Sequence, residues 1–202
     1  WDPNPSGGVP FTGVGGIAVS GNTVYVGGNF STIGGQARNN IAALDAATGL
    51  ATDWDPNASS SVGVMGVNNG TVYVNISGAM NITIGGASRR YVAALDAATG
   101  LATGWNPSPD DYVNTLLFAD GMLYAGGNFM NIAGQARNRL AAFDAATGDL
   151  AAGWDPNASG SITSLALSGG TMYVSGSFSA IGGVSMKNIA AIYRGSGLVV
   201  YP

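Results

Sequence analysis

Apolar and polar residues alternate in short runs separated by glycine-rich turns, a pattern that predicts β-strands. Residues 62–70, VGVMGVNNG, predict a first strand that ends in a glycine turn. Residues 71–77, TVYVNIS, predict a second strand with Val72 and Val74 on one face and Tyr73 on the other. A glycine-rich loop leads to a third strand, YVAALD, and after AATG a fourth strand, LATGW, completes the meander. Since no window shows sustained helical periodicity with caps, we predict very little helix.

This meander recurs four times along the chain. The stretch ALDAATGL stands at residues 43–50 and again at 94–101, and related stretches stand at 142–149 and 191–198. Tryptophans followed by Asp or Asn and then Pro keep step with these stretches, at Trp1, Trp54, Trp105 and Trp154. Four copies of a unit of about 50 residues are typical of a β-propeller, whose blades pack around a central axis.

We predict a single all-β propeller domain over residues 1–202, with four antiparallel strands per blade. A ring of four blades within one chain is the favoured arrangement, and half of an eight-bladed ring is the alternative. The repeats occupy approximately residues 5–56, 57–107, 108–156 and 157–202, and residues 1–4 are the tail of a preceding blade or a joint segment.

The repeated polar residues predict structural roles. In DAATG, the Asp side chain can accept hydrogen bonds from following backbone N–H groups, and Gly49 supplies the positive φ needed to enter the next strand. A repeated Arg predicts a hydrogen-bonding element between blades, and the tryptophans predict aromatic wedges at blade junctions. Gly27 and Gly28 predict a bulge or a close backbone contact between blades. Besides the four tryptophans, this structural set comprises Asp45, Asp96, Asp144, Arg38, Arg89 and Arg137.

The motifs YVGGNF, IGGQARNNIAALDAATG and WDPN carry a resemblance to a known family. In order and spacing the chain resembles the bacterial exported β-propeller repeats of the "delta-sixty" type, and more distantly the kelch and quinoprotein propellers. The resemblance implies a β-propeller. It also implies an exported or cell-surface setting, because members of the group tend to lie in large exported proteins of poorly defined activity.

The amino-acid composition excludes several kinds of catalytic and binding site. The chain has no Cys and no His, which excludes Ser/His/Asp and Cys/His nucleophilic machinery and zinc sites built from thiolate or imidazole. Only 9% of residues are charged and seven are Lys or Arg, so we predict no nucleic-acid binding. No segment approaches the roughly 20 apolar residues of a membrane span. We predict no cofactor, and the abundance of Gly, Asn, Ser and Thr favours an extracellular or cell-surface protein.

A few acidic residues lie outside the repeated set. Asp110 and Asp111 are adjacent, and with Asp120 they could supply the two carboxylates of an Asp-dependent glycoside hydrolase or lyase. We predict a solvated loop instead, because adjacent strand residues point to opposite faces.

Asp53, Asp55 and Asn57 alternate as in the front half of a calcium loop. The twelfth position of such a loop is Val64, which cannot act as a ligand. This triplet is therefore a weak metal candidate, and we predict no metal site. Six asparagines begin N-x-S/T sequons and are candidates for glycosylation: Asn29, Asn57, Asn69, Asn75, Asn81 and Asn157.

Repetition accounts for most distinctive residues, and this favours a non-enzymatic structural or interaction module over an enzyme. We expect the chain to self-assemble as a homo-oligomer or polymer, in a filament or surface lattice, because WDPN at the start and VVYP near the end offer a head-to-tail joint. A glycan- or protein-binding propeller, with Tyr and Trp as stacking platforms, is the alternative, and its partner would be a glycan or a surface protein. The Asp-dependent hydrolase or lyase is the third hypothesis.

Overall fold

A computed structural model of the chain describes residues 1–8, 12–77 and 80–200. Within these ranges the regular secondary structure is entirely β-strand, which confirms the all-β prediction. The same ranges hold no helix with the length and apolar character needed to cross a membrane. The chain divides into two compact units, Trp1–Ser108 and Pro109–Pro202, and each unit contains two of the four repeats.

Each repeat folds into a three-stranded antiparallel sheet and a separate two-stranded hairpin, which together we call a blade. In the first unit, the sheets have the orders β1-β2-β5 and β6-β7-β10, and the hairpins pair β3 with β4 and β8 with β9. Blade 1 consists of β1 (Gly13–Ser20), β2 (Thr23–Asn29), β3 (Thr32–Ile33), β4 (Gln36–Ala37) and β5 (Ile41–Asp45). Blade 2 consists of β6 (Val62–Asn68), β7 (Thr71–Ile76), β8 (Asn81–Ile84), β9 (Ala87–Arg90) and β10 (Val92–Asp96).

The second unit repeats this topology. Its sheets have the orders β11-β12-β15 and β16-β17-β20, and its hairpins pair β13 with β14 and β18 with β19. Blade 3 consists of β11 (Val113–Ala119), β12 (Met122–Gly127), β13 (Asn131–Ile132), β14 (Gln135–Ala136) and β15 (Leu140–Asp144). Blade 4 consists of β16 (Ser161–Ser168), β17 (Thr171–Ser177), β18 (Ala180–Ile181), β19 (Val184–Ser185) and β20 (Ile189–Tyr193).

The predicted fourth strand of each blade is present only as a single antiparallel bridge. In blade 1 the bridge joins Leu44 and Ala51. Two backbone hydrogen bonds flank this bridge, from the N–H of Asp45 to the carbonyl of Leu50 and from the N–H of Thr52 to the carbonyl of Ala43, both at 2.9 Å. On its other side the segment meets the β3–β4 turn, where the N–H of Ala51 donates to the carbonyl of Gly34 at 3.0 Å. The other three bridges are Leu95 to Ala102, Phe143 to Leu150 and Ile192 to Val199.

An apolar core joins the two blades within each unit. In the first unit, Tyr25, Ile41 and Ala43 of blade 1 share one buried cluster with Val62 and Val64 of blade 2. The second unit has the same arrangement, in which the sheet of blade 3 packs against the sheet of blade 4. Its buried cluster includes Tyr124, Leu140, Ala142, Ile162, Leu165, Met172 and Val174. Burial of this apolar area is the main favourable term in holding two blades together.

Gly27 lies where the backbones of blades 1 and 2 approach closely. A Cβ added at Gly27 would lie 2.8 Å from the carbonyl oxygen of Val62 and 2.9 Å from the amide nitrogen of Val64. The close contact predicted for this glycine is therefore present. The register shift of the pair lies in the opposing strand β1, between Val14 and Gly16, rather than at Gly27 itself.

We expect Gly27→Ala to lower the free energy of unfolding of the first unit by about 1–3 kcal/mol, because the new methyl group meets backbone atoms that cannot move independently. Gly13→Ala is the matched control, since a Cβ at Gly13 has no heavy atom within 4 Å. Its effect should stay within about 0.5 kcal/mol. Urea unfolding followed by circular dichroism measures both changes, and equal effects would show that the close approach is not what requires glycine.

Candidate interaction surfaces

The DAATG hairpins are closed by their Asp side chains. Oδ1 of Asp45 accepts hydrogen bonds from the backbone N–H of Ala47 at 3.0 Å and of Thr48 at 2.8 Å, and from the Thr48 hydroxyl at 2.8 Å. Gly49 has a φ of 76°, in the left-handed region that favours glycine. Oδ1 accepts the equivalent two backbone hydrogen bonds at Asp96 and Asp144.

These hydrogen bonds lower the pKa of the hairpin carboxyls. At Asp45 the main cause is the hydrogen bond from the Thr48 hydroxyl, and the equivalent hydroxyl lowers the pKa of Asp96. At Asp144 the main cause is the backbone N–H of Thr147. Each hydrogen bond favours the ionised carboxylate, so the hairpin is stabilised when the Asp is charged.

Blade 4 keeps the hairpin backbone without the Asp. Tyr193 occupies the equivalent position, and its carbonyl accepts from the N–H of Gly197 at 2.8 Å. Its own N–H donates to the carbonyl of Leu198 at 2.7 Å. The backbone therefore closes this turn, and the position is free to carry an aromatic side chain.

The repeated arginines make their hydrogen bonds within one repeat, not between blades as predicted. The Arg38 guanidinium donates to the carbonyls of Ala37 at 2.8 Å and Thr52 at 2.6 Å. These hydrogen bonds link the β3–β4 hairpin to residues 51–52, the short fourth strand of the same blade. The Thr52 carbonyl is available because the pairing with β5 ends at Ala51. Arg89 and Arg137 make the equivalent pair of hydrogen bonds.

In the first unit, a tryptophan wedges between two blades. The Trp54 ring meets Tyr25 of blade 1 edge-on, with 5.1 Å between centroids and 77° between planes. Its indole N–H donates to the carbonyl of Asp96, in the DAATG hairpin of blade 2, at 3.0 Å. The side chain thus contacts both blades at once. Trp105 packs against Tyr73 in a similar edge-on geometry, with 5.6 Å between centroids.

The second unit uses the same wedge. The Trp154 ring lies 5.2 Å from the Tyr124 ring of blade 3, and its indole N–H donates to the carbonyl of Arg194 in blade 4 at 2.8 Å. Both tryptophan wedges are buried. They serve the packing of the blades, so their rings are not available as sugar-stacking platforms.

Trp1 has the geometry of a wedge but is exposed. Its indole N–H lies 3.4 Å from the carbonyl of Asp45, and its ring lies against Gly49, in the hairpin of blade 1. This matches how Trp54 sits on the blade 2 hairpin. Yet Trp1 is 63% exposed, whereas Trp54 is 6% exposed.

The sheet of blade 1 is exposed on the same side. Ile17 and Val19 of β1 point away from blade 2, because the Cβ direction of the neighbouring Gly16 points at Val64 of blade 2. Ile17 pairs with Val26 of β2, and Val64 pairs with Val74, the residue of β7 equivalent to Val26. Ile17 and Val64 therefore hold equivalent positions in their sheets. Ile17 is 59% exposed, whereas Val64 is 7% exposed. We call Trp1, Ile17 and Val19 the N-terminal face.

Blade 4 exposes the sheet surface that blade 3 buries. Tyr173 of β17 and Ile189 of β20 occupy the positions that Tyr124 and Leu140 hold in blade 3. Tyr173 is 45% exposed against 3% for Tyr124, and Ile189 is 64% exposed against 0% for Leu140. Tyr193 lies on the same side of the sheet and is also exposed. We call Tyr173, Ile189 and Tyr193 the C-terminal face.

The acidic residues considered for hydrolysis lie apart. Asp110 precedes β11 and Asp120 follows it, so a seven-residue strand, about 20 Å long, separates the two. Asp110 accepts hydrogen bonds from the backbone of Met130 and Asn131. Asp111 accepts one from the backbone N–H of Tyr112 at 2.7 Å. Asp110 and Asp120 are therefore too far apart to act on one substrate bond.

Asp110 and Asp120 each interact with neighbouring protein groups. Partial burial raises the pKa of Asp110, but hydrogen bonds from Asn131 and Met130 outweigh it, so the pKa lies below its usual value. Asp120 forms an ion pair with Arg194. A carboxyl with a lowered pKa is poorly suited to be the protonated acid of a glycosidase.

The calcium candidate is occupied by protein hydrogen bonds. Oδ1 of Asp55 accepts from the N–H of Asn57 at 3.1 Å, and Oδ1 of Asn57 accepts from the Asn39 amide at 2.9 Å. Asp53 is exposed. The described residues contain no group of three His, Cys, Asp or Glu side chains that could hold a metal.

The sequon asparagines differ in accessibility. Asn29 and Asn75 are half-buried within strands β2 and β7. The remaining four are exposed: Asn57, Asn69, Asn81 and Asn157. Glycosylation of the sequons stays a prediction, and these four are the sites at which a glycan would meet least obstruction.

Comparison with known proteins gives a family and a fold. A family model described as "Outer membrane protein assembly factor BamB" matches residues 3–148. No curated protein matches the chain. The computationally designed Ika4 protein is similar with a TM-score of 0.55 at 14% identity, over 90% of this chain and 91% of Ika4. BamB from Moraxella catarrhalis is similar with a TM-score of 0.39 at 21% identity, over 93% of this chain and 63% of that one.

The likeness to Ika4 is one of fold alone. The family match and the repeated antiparallel sheets together confirm that the chain is a β-propeller repeat protein. The narrower resemblance to the delta-sixty type and the number of blades in the ring stay predictions.

The buried wedge predicts a large difference between two tryptophans of one unit. We expect Trp54→Ala to lower the free energy of unfolding by about 3–5 kcal/mol, because it empties a packed junction. Trp1→Ala should cost no more than about 1 kcal/mol at a protein concentration that keeps the chain monomeric, since most of the Trp1 side chain is already in water. Urea unfolding compares the two, and similar losses would contradict the wedge assignment.

The hairpin carboxyls predict a pH dependence. Their pKa values are lowered in the folded chain, so the stability they contribute is present above the unfolded pKa of about 3.9 and is lost as the pH falls through the folded value. The triple variant with Asn at Asp45, Asp96 and Asp144 should therefore be less stable at neutral pH and lose less stability on acidification. Melting temperatures measured from about pH 7 to about pH 2.5 test this, with Asp53→Asn as the control, because Asp53 is exposed and lies outside the DAATG hairpins.

Proposed function

The chain belongs to the family described as outer membrane protein assembly factor BamB, and on that premise we propose that it is a non-enzymatic interaction module that associates with copies of itself. The family description names an assembly role, which supports interaction rather than catalysis. We further propose that self-association builds a filament or lattice at the cell surface or in the cell envelope. The resemblance to delta-sixty propellers of exported proteins supports this setting.

The observation that carries the proposal is the exposure of apolar side chains at positions that are buried in other repeats. The N-terminal face and the C-terminal face each present large hydrophobic residues on a sheet surface. Isolated surface hydrophobics are normal, but grouped ones on one face mark an interaction site. Trp1, Ile17, Tyr173 and Ile189 occupy positions that are buried in sister blades, so these side chains are of the kind that pack in a protein interface.

The remaining polar residues support the same proposal. Asp, Arg and Trp side chains that recur in the repeats are engaged in closing hairpins and joining blades. The chain has a formal net charge of −4 over 202 residues, so electrostatic repulsion between copies is weak. Self-association needs no cofactor.

A glycan-binding role would draw on the same exposed aromatic residues, Trp1, Tyr173 and Tyr193. Their grouping with aliphatic Ile17, Val19 and Ile189 favours a protein partner, because sugar sites combine an aromatic platform with polar groups that fix the hydroxyls.

Sedimentation analysis of the purified chain over a wide concentration range tests the proposal. We expect the average mass to rise above that of the monomer as concentration increases, and negative-stain electron microscopy to show assembled particles. Added urea at a concentration below unfolding should reverse the effect, since urea weakens apolar contacts. A chain that stays monomeric at the highest soluble concentration would overturn the proposal.

A further inference from the structure

We propose that two copies join through a contact that rebuilds the junction between blades, with the C-terminal face of one copy packed on the N-terminal face of the next. This inference rests on the proposed self-association and assigns it to particular residues. Trp1 of one copy would take the position against Tyr173 of the second that Trp54 holds against Tyr25.

Each junction inside a unit is made of two unlike halves. One half is a sheet surface with a tyrosine and a branched aliphatic residue, as at Tyr25 and Ile41 of blade 1. The other half is a tryptophan wedge and the aliphatic residues of the next blade, as at Trp54 and Val64. We call these the tyrosine half and the tryptophan half.

The second unit contains the same two halves. Tyr124 and Leu140 form the tyrosine half, and Trp154 and Leu165 form the tryptophan half. The junction thus occurs in both units with the same side-chain types at the same positions. Its recurrence shows what kind of surface each half requires.

The C-terminal face is a tyrosine half whose side chains are exposed. Its Tyr173 pairs with Ala191 across the sheet as Tyr124 pairs with Ala142. Ile189 supplies the branched aliphatic residue. Tyr193 replaces the hairpin Asp, so this face carries an apolar ring where a covered face carries a carboxylate.

The N-terminal face is a tryptophan half whose side chains are exposed. Ile17 stands in the position of Val64 in its own sheet, and Val19 extends the apolar surface. Trp1 already lies against its own hairpin, within 3.4 Å of the Asp45 carbonyl. The wedge is therefore pre-positioned, and ordering it on docking costs little entropy.

A second copy of this chain fits each face because every copy carries one tyrosine half and one tryptophan half. An isologous contact, in which one face meets itself, would set tyrosine half against tyrosine half and leave both tryptophans in water. The contact is therefore heterologous, and it forms a ring if the rotation closes and an open chain of copies if it does not.

Sedimentation of single variants tests the assignment. We expect Trp1→Ser and Tyr173→Ser each to weaken self-association at least tenfold while leaving the circular dichroism spectrum unchanged, because both side chains are exposed in a single copy. Ile17→Ser and Ile189→Ser are second variants of the two faces. Leu50→Ser is the matched control, since Leu50 is as exposed as these residues but its equivalents Leu101 and Leu198 are exposed in other blades too.

Mixing the two variants gives the sharper result. Trp1→Ser keeps an intact C-terminal face and Tyr173→Ser keeps an intact N-terminal face, so an equimolar mixture should form one-to-one dimers that grow no further. Association that persists in both single variants would overturn this junction while leaving self-association standing. A parent chain that is monomeric at all concentrations, with both faces covered within one chain, would overturn both.

Discussion

The packing of an aromatic wedge between neighbouring sheets is the interaction on which the rest of the molecule depends. A three-stranded sheet of this size has two apolar faces and cannot bury both by itself. Trp54 and Trp154 fill the space between adjacent sheets and fix each hairpin by a hydrogen bond to its carbonyl. The wedge therefore sets the distance and the direction in which one blade follows another.

Strong local patterning made much of this predictable from the sequence. The hairpin Asp and Gly49 were predicted because their partners lie within four residues, and the wedge was predicted because tryptophan recurs at each junction. The partner of Arg38 was not, since the carbonyl of Thr52 becomes available only when the fourth strand stays short. Tyr91 and Arg139 have φ of 56° and 67°, at a position that Asn40 holds in blade 1, and their residue types give no sign of it.

The repeated motifs do not predict which copies of an equivalent side chain are exposed. Tyr25 and Tyr173 stand in the same motif, yet Tyr25 is 5% exposed and Tyr173 is 45% exposed. The sequence of a repeat shows which side chains are apolar enough to be buried, and the tertiary structure determines in which copies they are buried. The candidate interaction faces are therefore defined by a difference in exposure between equivalent positions of different blades, which neither carboxylate spacing nor sequons reveal.

Replacement of the hairpin Asp by Tyr193 gives the molecule a chemical polarity. The N-terminal face presents an indole seated on the hairpin that carries Asp45. The C-terminal face presents the phenol rings of Tyr173 and Tyr193, and Tyr193 stands where the other three hairpins carry an Asp. Any array built from such subunits has ends that are chemically different. A short mimic of one face would then arrest growth at one end and leave the other end open.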